Sequence, residues 1–515
     1  MSEVAIGIDL GTSNSVVAVV ENGQPKVIPN RWGETIHPSI VHYGADGEVL
    51  VGSRAKKKLL LDPENTIYSF KRLMGRYFQS EEVKKARGLL PYELVEGENR
   101  DVRVKVRDQA LALPEISAQM LTEMRRVAEA YLGQVVTKAV VTVPAHFNDN
   151  QRQATKDACR IAGLDVLKMI NEPTAVALAY GYDKQMRNRV AVYDLGGGTF
   201  DVTVLDINLD VFEVRSTAGD TFLGGDDFDT RIMDYLIGAF YEQVGIDLRK
   251  DRVAMQKLKE HSEWAKIQLS EVDRVEVSIP DIARDEEGSL TLSAVLTVKQ
   301  LAQMTYDLVQ RTFGVCDEAV QAAGCNVTEI DGVVLVGGQS KSRFIRSAVE
   351  AYFSKRVQAH VNPDEAVALG AAIHADQLLH RKGDAVLIDV TPLSLRVGTV
   401  GGFTEVVIPK NTPIPIEHSK TFVTASDHQE RVRIRIYQGE AKAHDHNELL
   451  GEFEFSGFRV VPRGEVEVVV TFDIDANGIV NVSAVERESG VEARTRVTLS
   501  QHMTEAELQK LGAAR

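Results

Sequence analysis

One local pattern occurs twice in this chain, and it constrains the fold more than any other feature. Near the start the sequence reads Ile6-Gly7-Ile8-Asp9-Leu10-Gly11-Thr12-Ser13-Asn14, and far downstream Val192-Tyr193-Asp194-Leu195-Gly196-Gly197-Gly198-Thr199-Phe200-Asp201. Each copy is an apolar run ending in Asp-Leu-Gly, followed by small hydroxyl residues and a second apolar run, Val16 to Val20 or Val202 to Leu205. That is the signature of a strand, a tight glycine turn and a returning strand. Glycine lets backbone amides approach a phosphate closely enough to cradle it. An Asp at the end of each first strand would repel that phosphate unless a cation lies between them. Two such hairpins facing each other imply a cleft for a metal-bound polyphosphate.

At 515 residues the chain is too long for one hydrophobic core, and two to four domains are expected. With 44% apolar and 26% charged residues its composition is that of a globular protein. The net charge of -15 argues against nucleic acid or an anionic membrane as partner, since both need clustered Lys and Arg. A nucleotide held by backbone amides and Mg²⁺ remains compatible with that charge. Cys159, Cys316 and Cys325 are odd in number and form no C-x-x-C, so neither a disulfide framework nor a zinc site is indicated. Glu3 and Asp9 stand where a secretory signal would carry basic residues. No apolar run reaches the ~18 residues that span a bilayer. A cytoplasmic location is the expectation.

Residues 1–383 alternate strand-type and helix-type runs, as in an α/β protein. Ala139 to Val143 and Gly332 to Val336 are continuous apolar runs suited to strands buried on both faces. Glu115 to Leu132, Val253 to Ser270 and Val298 to Ala323 read as helices, the last with Leu301, Met304, Leu308 and Thr312 at helical spacing. Residues 384–390 read Asp-Ala-Val-Leu-Ile-Asp-Val, a hydrophobic linker that can dock in one state and be released in another; an ordinary edge strand is the competing reading. From Thr391 to about residue 500 the chain becomes all-β. Arg431 to Ile436 alternates strictly, Glu465 to Phe472 is a strand, and Phe472 to Val482 is a hairpin around Asn477-Gly478. This portion reads as a β-sandwich. From residue 501 a helix is expected to begin, with Thr504 as its cap.

Several nucleotide and hydrolase signatures fail. Lys341 lacks the preceding Gly of a P-loop, no G-x-G-x-x-G follows the first strand, and no G-x-S-x-G appears. His444-Asp445-His446 has no further metal ligands nearby in sequence and reads as an exposed loop. What remains is specific. Val141 to Asp149 (VTVPAHFND), Gln151 to Thr155 (QRQAT), Asn171 to Ala175 (NEPTA) and Asn362 to Ala368 (NPDEAVA) follow one another in order. Together with the twin hairpins they resemble the DnaK-type heat-shock chaperones of the actin-like ATPase superfamily. Thr391 to Leu395 (TPLSL) and Gly401-Gly402 resemble that family's substrate domain, so the likeness runs from about residue 3 to the end.

The resemblance implies a two-lobed ATPase domain, a hydrophobic linker and a β-sandwich that binds extended apolar peptides. It implies ATP or ADP with Mg²⁺, and K⁺ as a further cation. Asp9 and Asp194 would hold Mg²⁺, through water. Gly11, Thr12, Ser13, Asn14, Gly196, Gly197 and Gly198 would wrap the phosphates. Lys71 would sit by the γ-phosphate, orienting the attacking water and neutralising developing charge, with Glu172, Thr199 and Asp201 completing the polar wall around that water. Glu263, Lys266 and Ser270, three and four residues apart on one helix face, would contact the adenosine with Gly338 and Lys341. Gly225, Gly337, Gln339 and Asp364 complete the nucleotide set. Val397, Thr399, Val400, Phe422, Val432, Ile434 and Ile436 would line the peptide channel, and Ala385, Val386, Leu387, Ile388 and Asp389 would form the linker. Without the family pattern Lys71 would read as a solvated lysine, Glu263, Lys266 and Ser270 as an exposed helix face, and about half the channel residues as sandwich interior. Burying one peptide Leu contributes about 1.5–3 kcal/mol, which suits weak, reversible binding.

Four departures from the family pattern stand out. His146 replaces a usual Tyr, Lys341 replaces an Arg beside the adenine and so stacks less well, Ser342-Arg343 replaces an apolar-Pro step, and the linker run is smaller than usual. The chain stops at Arg515 where the family continues into a helical lid, which implies fast peptide exchange even with ADP bound. A J-domain co-chaperone and a nucleotide exchange factor are the implied partners. A small-molecule kinase or a filament-forming ATPase of the same superfamily is the alternative; neither has a use for the linker and the β portion.

Overall fold

A computed structural model describes residues 3–181, 187–286, 288–358, 362–380, 385–490, 492–496 and 505–513. Each Asp-Leu-Gly copy forms the expected hairpin: strands Ala5–Leu10 and Asn14–Glu21 in one, Arg187–Leu195 and Phe200–Asn208 in the other. Each hairpin nucleates a sheet of its own. Lobe I runs in the order Asp165–Asn171, Lys138–Val143, Ala5–Leu10, Asn14–Glu21 and Gln24–Val27, with parallel pairs on the first side of the hairpin. Lobe II repeats the plan: Gly332–Val336 lies parallel to Arg187–Leu195, which pairs with Phe200–Asn208 and then Val211–Asp220.

Two helices cross between the lobes, Glu172–Gly181 and Ala366–His380. Both are apolar around most of their circumference, as buried helices are. They approach so closely that a Cβ on Gly370 would lie 1.7 Å from the carbonyl oxygen of Ala175. Glycine is required there by contact, not by dihedral angle. One apolar cluster carries Ala5 and Val140 of lobe I together with Val190 and Val334 of lobe II, so the lobes share a hinge core. Lobe II adds the hairpin Arg274–Asp285/Gly288–Thr297, covered by helices Gly225–Val244 and Arg252–Gln268.

The region expected to be one helix from Val298 to Ala323 is two, Val298–Met304 and Tyr306–Ala322. Thr305 breaks it: its hydroxyl donates to the Leu301 carbonyl at 2.7 Å, and its backbone leaves helical geometry at ψ 9°.

The run expected as a linker contains strand Val386–Val390, which adds in parallel to Val211–Asp220 and so extends the lobe II sheet. It is not the sheet's edge, because Asp389 and Val390 pair on the other side with Ile414 and Pro413; Asp384 lies outside the described residues. Beyond it two four-stranded antiparallel sheets form a sandwich. One has the order Phe403–Ile408, Leu395–Thr399, Arg431–Gln438, Glu448–Ser456, the other Ile416–Val423, Glu467–Ile474, Val480–Glu486, Glu492–Arg496. The Asn477-Gly478 hairpin is present, with a loop over residues 475–479 in which the Asp475 carboxylate accepts from the Asn477 and Ile479 amides. Helix Glu505–Ala513 lies against helix Asp149–Ile161 of lobe I and buries Leu508 in the lobe I core. The cap expected at Thr504 lies outside the described residues.

Candidate active site

The two glycine turns face each other across a cavity of about 280 Å³. In the first hairpin Asp9 stands opposite Val16, and the turn is pinned by the Ser39 hydroxyl donating to the Gly11 carbonyl at 2.8 Å. In the second, Asp194 stands opposite Asp201, and the Gly196 amide closes the turn on the Thr199 carbonyl at 3.1 Å. The first turn of helix Gly225–Val244 is stitched to that loop: the Gly225 amide donates to Gly196 and the Asp226 amide to Gly197. Gly337, at φ 80°, keeps the floor open, because a Cβ there would lie 2.7 Å from Oδ1 of Asp194.

Four carboxylates gather at this floor. Burial, and then the negative Glu172, push Asp9 up to about 7 and Asp201 up to about 8, and hold Asp194 well above its ordinary range. Against them stands Lys71, 3% exposed, with Nζ 2.7 Å from Oε1 of Glu172. Lys71 lowers the pKa of Asp9, Asp194 and Asp201 but does not offset their burial. The Thr142 hydroxyl lies 3.4 Å from Asp9, and the His146 amide donates to Asp201 at 3.2 Å. A buried cluster with more carboxylates than cations, beside glycine amides, is a fitting environment for a divalent cation with a polyphosphate.

The cavity brings together Asp9, Gly11, Thr12, Ser13, Asn14, Lys71, Glu172, Asp194, Gly196, Gly197 and Thr199 around the two glycine turns. Gly225, Glu263, Lys266, Gly337, Gly338, Gln339, Lys341 and Asp364 line the other end. Lys266 is fixed by the Gly225 carbonyl at 2.9 Å and by Asp229 at 2.8 Å, and Lys341 pairs with Asp364 across the mouth. Three expected residues are not on the lining. Asp201 lies behind the floor on the His146 amide. Gly198 faces Arg72 and Thr12, and the Ser270 hydroxyl turns back to the Lys266 carbonyl at 3.4 Å.

Sequence reasoning missed two features. Ile36, Ile267, Pro363 and Val367 supply an apolar wall at the far end, and an exposed isoleucine on a helix gives no signal of this. It also missed a polar clasp between the lobes. Arg72 of lobe I reaches Asp227 at 2.9 Å, the Ser69 hydroxyl donates to Asp226 at 2.9 Å, and Lys259 pairs with Asp226 at 3.2 Å. Burial alone would raise Asp226, but Lys259, Arg72 and Lys266 together hold it well below the usual carboxylate range.

In the sandwich, Val397, Ile434 and Ile436 are interior, packed with Leu395, Phe455 and Phe472. Phe422 and Val432 half-cover that core, Thr399 is half-buried, and Val400 is exposed at the tip of the loop. In the linker, Ala385 and Leu387 pack against the hinge core, Ile388 pairs with Glu213, Asp389 accepts from the Thr174 hydroxyl at 3.1 Å, and Val386 is exposed. The sandwich sits on the lobes through direct bonds. The Asp149 amide donates to Gln438 and its carboxylate accepts from the Val480 amide. The Met169 amide donates to Asn477, the Tyr77 hydroxyl to the Leu449 carbonyl, and Lys410 pairs with Glu318.

Duplicated hairpins closed on an acidic, glycine-lined cavity, with a β-sandwich following strand Val386–Val390 of lobe II, define a two-lobed actin-like ATPase carrying a sandwich domain. The family model described as Hsp70 protein matches residues 5–514, and the chain belongs to the Hsp70 family. Members of that family are chaperones and ATPases that bind nucleotide with Mg²⁺ and act on substrate peptides with co-chaperones. Among the described residues no helix is long and apolar enough to cross a membrane.

Proposed function

We propose that this chain is an ATP-dependent chaperone whose sandwich takes extended hydrophobic segments of unfolded proteins, with an affinity switched by ATP binding and hydrolysis. Its working parts are residues 1–383 as the ATPase domain, 384–390 as the linker, 391–500 as the peptide-binding domain and 501–515 as the start of a lid.

Phosphoryl transfer to water asks the protein for positioning and charge stabilisation more than covalent chemistry. The amides of residues 11–13 and of Gly196 and Gly197 wrap the phosphates, and Asp9 and Asp194 would hold Mg²⁺, whose charge would offset that of the phosphates. Lys71, aimed by Glu172, stabilises charge that develops on the γ-phosphate. Thr199 orients the attacking water, and Asp201, set behind the floor, completes the polar wall around that water. Gly338, Lys341 and the Glu263–Lys266 face hold the nucleoside, while Ile267 packs on it.

The single observation that carries the switch is the linker. Strand Val386–Val390 is in register with the lobe II sheet while Asp389 is held by Thr174, a residue of the hinge helix that begins at Glu172. Lobe motion at the nucleotide is thereby tied to docking of the sandwich, and the two ligands are reciprocally coupled. A J-domain protein and an exchange factor would set the rates of the cycle. The test is dissociation of a fluorescent Leu-rich peptide. With ATP it should be at least about tenfold faster than with ADP; equal rates would refute the switch.

A further inference from the structure

A second cavity, of about 490 Å³, opens between the lobes and shares no lining residue with the first. Lobe I supplies Tyr68, Ser69, Arg72, Leu73 and Ala86–Pro91; lobe II supplies helices Gly225–Val244 and Arg252–Gln268 with the turn between them. Its floor is apolar, made by Leu73, Leu90, Met233, Ile237 and Met255.

Most of the charges around this floor are already paired. Arg72 and Lys259 are tied to Asp227 and Asp226, Arg249 to Asp247 and Asp234, and Arg252 crosses the lobes to Glu64 at 2.6 Å. Two cations remain. Arg87 of lobe I stacks on the Phe78 ring at 3.5 Å and donates to the Phe78 carbonyl, with no carboxylate among the described residues. Lys250 of lobe II is exposed and has no acidic partner among the described residues. The chain as a whole is at -15, yet this hollow carries one uncompensated cation from each lobe. Apolar walls with a few placed polar groups are the make-up of a small-molecule site.

We propose that the inter-lobe cavity is a second ligand site, for a small amphipathic organic anion whose apolar body fills the Leu73–Met255 hollow and whose carboxylate or sulfonate pairs with Arg87 and Lys250. Because each lobe contributes a wall and a cation, such a ligand binds the closed arrangement of the lobes in preference to an open one.

The test uses the full chain saturated with ADP, Mg²⁺ and a Leu-rich peptide, so that the nucleotide cavity and the peptide channel are occupied. The fluorescent probe 8-anilinonaphthalene-1-sulfonate is titrated in. Saturable binding is expected, displaced by decanoate and not by decyltrimethylammonium. Lys250→Glu, at an exposed position, should weaken the probe roughly fivefold or more, the scale of one lost charge contact. Met255→Trp, which fills the hollow, should abolish binding. Probe affinity unchanged by Lys250→Glu, or equal displacement by the cationic surfactant, would overturn the proposal. If Met255→Trp does not fold, the Lys250→Glu and displacement results decide.

Discussion

The two glycine hairpins share a sequence and a backbone plan, and differ in what lies across from the acid. Asp9 faces Val16, whereas Asp194 faces Asp201. The first hairpin is braced from lobe I by Ser39 and Thr142; the second is stitched to a helix start and has a second acid held by the His146 amide. The duplicated motif therefore gives each lobe the same glycine turn, while a second acid across the strand belongs to lobe II alone. Lys71, from lobe I, is the cation that both halves feel.

The sharpest way to break this comparison is Lys71→Ala, which should slow single-turnover ATP hydrolysis by roughly 10²–10³-fold; a change below about threefold would remove Lys71 from the chemistry. Next come the acids. Asp201→Asn should slow hydrolysis by only about fivefold, the scale of one lost hydrogen bond, and leave Mg²⁺-dependent ADP affinity within about threefold. Asp9→Asn and Asp194→Asn should each cost that affinity itself. Calorimetric titration of ADP with and without Mg²⁺ separates these cases, and equal behaviour of all three variants would erase the asymmetry.

Much of this was legible from residues close together in the chain. The Asp-Leu-Gly turns lie within ten residues and force one local geometry, and the alternation of Arg431 to Ile436 gave that strand's inner face. The clasp of Ser69 and Arg72 to Asp226 and Asp227 was not legible, because its partners belong to different lobes and neither segment carries a motif for the other. Thr305 hid its break because helical spacing continues on both sides. Val397, Ile434 and Ile436 show a further limit: period-two patterning tells inside from outside, and it does not tell a packed interior from the wall of a channel.

Two smaller effects sharpen the picture. Asp389→Asn should weaken the linker's hold on Thr174, cut peptide stimulation of hydrolysis at least about twofold, and leave basal hydrolysis within about twofold. A response equal to that of the parent chain would free Asp389 of this role. His146 offers the smallest effect. Its Nδ1 is shut away from solvent with no hydrogen-bond partner among the described residues, and burial pushes the ring down to about 4. The folded chain then binds fewer protons than the unfolded one between about pH 6.5 and about pH 4, so stability falls as pH falls through that window and is unaffected above it. Thermal unfolding should lose a few degrees less between about pH 7.5 and about pH 5 in His146→Phe than in the parent; identical slopes would show that His146 does not carry this pH dependence.

The central claim is that the sandwich and the cleft act on one another through Val386–Val390. Single-turnover ATP hydrolysis with and without a Leu-rich unfolded peptide tests it most directly. Stimulation of about threefold or more by peptide is the expected result, and hydrolysis indifferent to saturating peptide would contradict it.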